Sequence, residues 1–251
     1  MTNLLMRLRS IFGDLLKKRN RRPISTLTRM PKGLAEAWQD PGIPHKQWEL
    51  VERQLLKMEA DELSAEFEVF VRSIESALCL EADVATLLEI GCSSGYYGEV
   101  LRRYFPSIKY IGIDYSQSFV DFGKSKFPNF DLRKGDTTAL EMSDGAFDVV
   151  VSGSVLLHVM EWQKGLRESC RVARRVLILH RTPVSSAPTT LFTKSAYGQK
   201  MIEWTFNEDE LVDTARSEGF RLVSSCPVYE GGTLGVDPSL PNQFTYVFDR
   251  I

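Results

Sequence analysis

The 251-residue sequence predicts an α/β fold built on a mostly parallel open sheet, with an antiparallel last strand and extra helices at the N-terminus. Three observations predict it. From about residue 84, short apolar runs alternate with amphipathic stretches, the pattern of strand–helix–strand crossovers. Runs such as Val149-Val150-Val151 and Val176–Leu179 do not alternate with polar residues, as expected of strands covered on both faces. The last two apolar segments have only a loop, Tyr229–Asn242, between them, so they should pair antiparallel.

Composition limits the rest. With 43% hydrophobic and 25% charged residues the chain is globular, and no apolar stretch approaches the roughly 20 residues of a membrane span. Its four cysteines (79, 92, 170 and 226) form no CxxC pair and have no histidines at metal-ligand spacing. That argues against a zinc site and a disulfide scaffold, and it suits a reducing, cytoplasmic setting.

The charge is unevenly placed. Residues 1–22 carry seven basic side chains against Asp14 alone, which leaves 24 basic against 32 acidic residues in the remainder. Nucleic acid is therefore not an expected partner of the acidic body. In the arm, Leu4, Leu5, Leu8, Ile11, Phe12, Leu15 and Leu16 share one helical face. Three readings stay open for it: a terminal helix docked on this domain or a second subunit, a membrane-surface helix, and a transit segment.

Residues 23–45 hold four prolines and read as a linker or wrapped loop; 46–82 read as a helical cap, and 83–251 as the main domain. Helices are expected along Trp48, Val51, Leu55 and Met58, and along Leu63 to Leu78. Strands are expected at 86–90, 109–113, 130–133, 147–152, 175–180, 220–226 and 243–249, with helices near 95–104, 116–126, 161–172 and 207–218. The segment 183–206, with Phe192, Tyr197, Trp204 and Phe206, is long for a connection and reads as either a lid or a short core helix.

Chemistry concentrates at the carboxyl ends of the strands. The first strand runs from Glu89 through Gly91-Cys92-Ser93-Ser94-Gly95 into a helix whose free N–H groups and partial positive charge face a ligand. Asp114 closes the second strand, 23 residues after Gly91, where a carboxylate can accept hydrogen bonds from two ribose hydroxyls. Together they describe a site for a nucleoside-containing cofactor.

Four segments in order narrow that cofactor. Leu87–Gly95, Tyr110–Ser116, Lys134–Thr137 and Phe147–Ser152 with Val155-Leu156-Leu157-His158 resemble the motifs of class I S-adenosylmethionine-dependent methyltransferases, in the type 11-like branch. The resemblance implies a Rossmann-like, seven-stranded sheet, S-adenosyl-L-methionine as cofactor, and a small-molecule acceptor. It places Glu89, Gly91, Cys92, Ser93, Gly95, Asp114, Tyr115, Asp136, Thr137 and Ser152 at the cofactor, and requires no metal. Ser93 stands where the family's loop has a glycine, which the backbone accepts only if its φ need not be positive. A nicotinamide-dependent reductase is disfavoured: the glycines at 91, 95 and 98 miss the G-x-G-x-x-G spacing, and no Tyr-x-x-x-Lys pair is present.

Two histidines lie at the same edge. His158 and His180 are the candidate bases, with a structural role as the alternative for each. A base of ordinary pKa would make the rate fall as pH drops through about 6.5. The segment after the fifth strand, Arg181-Thr182-Pro183, is similar to methyltransferases of surface-polysaccharide clusters, which would make the acceptor an oxygen of a sugar or metabolite. The alternative to an enzyme is a catalytically silent relative that binds the cofactor or a partner protein.

Overall fold

A computed structural model describes residues 22–23, 33–34, 36–229 and 241–251. The amphipathic arm and the tip of the 229–242 loop lie outside the described residues.

Strands β2 (Thr86–Ile90), β3 (Lys109–Asp114), β4 (Asp131–Lys134), β5 (Phe147–Gly153), β6 (Ala173–Ser185), β9 (Phe220–Tyr229) and β10 (Asn242–Arg250) form the central sheet. Their spatial order is β4-β3-β2-β5-β6-β10-β9. Pairs up to β5–β6 are parallel, and β10 runs antiparallel to both β6 and β9. The order reverses between β3 and β5, around β2, so the ligand crevice lies beyond the ends of β2 and its neighbours.

Alternation along the strands sorts the core into two layers. Leu87, Val149, Val151, Val176 and Ile178 pack against α2 (Ala65–Leu80) and α3 (Tyr96–Tyr104). Leu88, Val150, Leu177 and Leu179 pack the other way, against α5 (Trp162–Val172) and α6 (Glu208–Ser217). Helix α2 belongs to the first layer outright, through the fully buried Phe67 and Ile74. Its start is fixed by Ser64, whose Oγ accepts from the N–H of Phe67 at 3.4 Å, with Glu66 and Glu68 favoured in the first turn. Asn207 caps α6 in the same way, accepting from the N–H of Glu210 at 3.0 Å. Asp148 sits at the opposite edge from the crevice, accepting from the N–H groups of Ala85 and Thr86 at 2.8 and 2.9 Å. It fixes where β2 begins and takes no part in the crevice.

The segment 183–206 is neither helix nor simple lid. It contains a hairpin, β7 (Thr190–Ala196) and β8 (Gln199–Asn207), joined at Tyr197-Gly198. Both turn residues have positive φ (53° and 80°), the geometry that matches strand twist in a two-residue connection. Strand β6 runs on past the end of β5 to pair with β8 at Val184 and Ser185. The two-residue strand β1 (Arg22–Pro23) adds to the hairpin's outer edge.

Helix α1 (Ile43–Glu59) and the 3-10 turn Ala37–Gln39 before it lie across the strand ends. Gln47 accepts from the Ser93 hydroxyl, and Asp40 accepts from Gln199 Nε2 at 2.5 Å. Lys46 Nζ donates to the carbonyl of Tyr197 at 2.8 Å. Residues 36–47 therefore form a strap tied to the glycine-rich turn on one side and the hairpin turn on the other. Helix α4 (Gln117–Lys126) follows β3 beside it.

Candidate active site

The turn after β2 is shaped by close contacts. Gly91 has φ +67°, and a Cβ on it would fall 2.4 Å from a methyl of Val155, so no larger residue fits there without moving the chain. Ser93 also adopts positive φ (53°), where glycine is the easier residue. The expectation that it could avoid this conformation is thus replaced by a strained serine held in place by two bonds. Its N–H donates to Asp114 Oδ2 at 2.9 Å, and its hydroxyl donates to Gln47.

Asp114 ends β3 facing this turn. Its Oδ1 accepts from the N–H of Ser116 at 2.9 Å. Burial pushes its pKa up to about 6, against the pull of the hydrogen bonds from Ser116, Ser93 and Tyr115. Glu89 is buried, and its Oε2 accepts from the Tyr110 hydroxyl. Burial raises its pKa to about 8, against that hydrogen bond and with the Asp114 charge adding to the rise. The two carboxyls are thus poised to respond to any charge or hydroxyl brought into the crevice.

Thr137 and Ser152, at the ends of β4's loop and β5, are buried, and each has a hydroxyl oxygen without a hydrogen-bond partner. Buried hydroxyls are normally satisfied, so two unpartnered ones near this end of the sheet are unusual; that of Thr137 lies against Gly165 of α5. Asp136 is exposed, with Oδ1 accepting from the N–H of Thr138 at 2.8 Å. Cys92 is fully buried, and burial raises its thiol pKa well above the usual value, so it fills space beneath the turn. Gly95 starts α3 with φ 78°. Tyr115 is half-buried, its pKa raised to about 12 by burial, with a hydrogen bond to Gln39 of the strap.

The two histidines separate. His158, in the 3-10 turn Leu156–His158 beyond β5, has Nδ1 2.7 Å from the carbonyl of Ile202. A carbonyl only accepts, so Nδ1 carries the proton and Nε2 keeps its lone pair. Burial, with the Lys194 cation adding and Glu203 opposing, pushes its pKa down to about 4, so the ring is neutral near pH 7. His180 is fully buried, with Nε2 2.9 Å from the Tyr97 hydroxyl and Nδ1 2.8 Å from Thr245 Oγ1. Both its nitrogens are committed inside the protein. The geometry leaves His158 as the histidine with a nitrogen to offer and gives His180 a packing role.

Sequence reasoning missed the strap. Trp38 lies with ring centroids 4.8 Å from His158, 6.0 Å from Tyr197 and 6.2 Å from Phe119, and its buried indole N–H has no partner. A tryptophan inside a proline-rich linker was the available signal. A separate cleft of about 530 Å³ opens between Met160, Trp204 and Asn207 and shares no lining residue with the cofactor set.

The comparisons with known proteins agree with this geometry. Residues 88–176 match the family model described as a methyltransferase domain. A probable S-adenosylmethionine-dependent methyltransferase of Mycobacterium tuberculosis is 26% identical over 159 residues, covering 62% of this chain and 55% of the relative. The chain thus aligns with little more than half the length of that curated relative. Among solved structures, magnesium protoporphyrin IX methyltransferase from Synechocystis superposes with a TM-score of 0.59 at 14% identity, covering 90% of this chain and all of that one. The Burkholderia thailandensis 1,6-didemethyltoxoflavin-N1-methyltransferase gives 0.57 at 13%, covering 93% and 96%. At these identities the superpositions speak for the fold alone. The strand order, the glycine-rich turn facing Asp114 and the methyltransferase domain matched over residues 88–176 together support a class I S-adenosylmethionine-dependent methyltransferase.

Proposed function

We propose that this chain transfers the methyl group of S-adenosylmethionine to a small-molecule acceptor, with an oxygen of a sugar or metabolite as the favoured target. One observation carries the reading: the Gly91–Gly95 turn, the Asp114 carboxylate and the two unpartnered hydroxyls of Thr137 and Ser152 converge at one sheet edge. The residues fit the cofactor. Asp114 would take the ribose hydroxyls, Thr137 and Ser152 carry hydroxyl oxygens without a protein partner, and Gly91 leaves room for close approach of the backbone.

When bound, S-adenosylmethionine supplies a methyl group already activated by a cationic sulfur. The protein has to exclude water and hold the acceptor in line, an effect worth up to about 7–11 kcal/mol. The strap covers the crevice, and Trp38, Phe119 and Tyr197 make its roof apolar. His158 Nε2 accepts a proton from a hydroxyl acceptor, and such a base contributes roughly 10²–10⁴ in rate. Conversion of S-adenosylmethionine to S-adenosylhomocysteine in the presence of hydroxylated acceptors tests the reading. Tight binding of S-adenosylhomocysteine with no turnover across sugars and metabolites would favour the catalytically silent relative.

A further inference from the structure

Strand β6 carries a bulge at the crevice. Leu179 pairs with Tyr246 and Thr182 with Phe244, so His180 and Arg181 together oppose the single residue Thr245. Arg181 takes φ +56°, a left-handed conformation in the middle of a thirteen-residue strand. Ser154, across on the loop after β5, is left-handed too (φ 56°). Its N–H donates to the carbonyl of His180 at 2.9 Å and its hydroxyl to the carbonyl of Arg181 at 3.2 Å. Such strain is held where the surroundings over-determine it, commonly at functional sites.

The bulge changes where Arg181 goes. In a regular strand, consecutive side chains point to opposite faces of the sheet. Here His180 reaches Tyr97 at the start of α3, and Arg181 lies beside Tyr96, Tyr97, Tyr229 and Glu66 on that same face. An extra residue in a strand re-aims a side chain in this way. The result is a guanidinium at the crevice edge, next to the tyrosine that also neighbours Gly153 and the Glu89 carboxyl.

Its hydrogen bonding is incomplete. The Nε of Arg181 is shielded from water and has no partner. Glu66 is the neighbouring carboxylate and is stabilised by the Arg181 charge, its oxygens also accepting from Gln54 Nε2 at 3.2 Å and from Tyr229 and Ser64. Arg181 hydrogen-bonds Tyr97 as well, and still its Nε is left without a partner. A buried guanidinium with an empty donor is costly, and a planar anion is the group that best fills it.

We propose that Arg181 recognises an anionic group, a carboxylate or phosphate, on the methyl acceptor, which makes acidic small molecules the substrate class. The proposal rests on reading this sheet edge as the methyl-transfer site. The bulge holds the cation beside the reacting centre, and Tyr96, Tyr97 and Tyr229 supply an apolar wall with polar tips.

The test uses the full chain saturated with S-adenosylhomocysteine, titrated with benzoate, phenyl phosphate and neutral benzyl alcohol. At least one anion should bind about tenfold or more tightly than the alcohol. Arg181→Gln should abolish that preference while keeping S-adenosylhomocysteine affinity within about threefold, and Arg181→Lys should keep part of it. Equal binding of anions and alcohol by the wild type overturns the proposal without any variant having to fold. So does a preference that survives Arg181→Gln. If Arg181→Gln weakens S-adenosylhomocysteine itself and leaves the anion preference intact, the residue serves the cofactor's own carboxylate and the proposal is also overturned. Failure of wild-type protein to bind S-adenosylhomocysteine at all is a separate result, and it counts against the methyltransferase reading.

Discussion

The backbone N–H of Ser93 donates to Oδ2 of Asp114 at 2.9 Å, so the carboxylate that ends β3 also pins the turn that ends β2. The pairing holds Ser93 in its left-handed conformation. It also means that Asp114 cannot be removed as a simple probe of ribose binding, because its loss frees the turn. An amide at the same position keeps an oxygen for one backbone bond and removes the charge.

The tight turn makes a stability prediction. Gly91→Ala must displace Val155 and forces a side chain onto positive φ, so it should destabilise the protein by about 2–4 kcal/mol. Ser93→Gly relieves one strain and loses one hydrogen bond to the strap, and should change stability by no more than about 1 kcal/mol. Urea unfolding of both variants checks this. A Gly91→Ala protein as stable as wild type would mean that the turn is looser than described.

Much of this turn was legible from sequence, and the strap and bulge were not. The first strand and its glycine-rich end were found because the chemistry is local: Glu89 to Gly95 is one continuous segment. The parallel order and the antiparallel β10 followed from apolar runs and the short loop before the last strand. The hairpin was missed although Tyr197-Gly198 is a two-residue turn, because β7 mixes half-buried and exposed positions and lacks a clear period of two. Trp38, Gln47 and Arg181 reach the crevice by tertiary packing and by a bulge, neither of which leaves a spacing to read. The histidines were placed at the right edge, but only contacts with Ile202, Tyr97 and Thr245 distinguish them.

Glu89 makes the ligand-free protein sensitive to alkali. Its pKa lies near 8 in the fold against an ordinary 4.5, so the folded state binds the extra proton between those values. This contribution to stability is complete below pH 4.5 and is lost as pH rises toward 8. Glu89→Gln keeps an acceptor for Tyr110 and has no charge to bury, so it should be more stable than wild type at pH 8 by about 1 kcal/mol or more. Thermal melts across pH 5–9 (the range spanning the shifted pKa) check the crossing. Parallel curves for the two proteins would contradict the burial of Glu89 as a charge-sensitive group.

His158 sets the acid side with the opposite sign. Its folded pKa, about 4, lies below the ordinary 6.5, so the unfolded state takes up the proton first. Stability from this group is complete above pH 6.5 and falls as pH drops toward 4. The same shift moves the expected catalytic limb: a His158 base stays neutral down to about pH 4, so no loss of rate at 6.5 is expected from it. His158→Ala should lower the single-turnover rate on a hydroxyl acceptor by about 10²–10⁴ with cofactor affinity nearly unchanged, and His180→Ala should act mainly on stability. A His158→Ala rate within about threefold of wild type would end the base assignment.

The most direct measurement is calorimetric titration of the full chain with S-adenosylhomocysteine, for wild type and Asp114→Asn side by side. The wild type should bind one equivalent. The variant should bind at least about tenfold more weakly, because a charged acceptor for ribose hydroxyls becomes a neutral one, while its melting temperature stays within a few degrees. No saturable binding by the wild type, or equal affinity in the two proteins, would contradict the placement of the cofactor between the Gly91–Gly95 turn and Asp114.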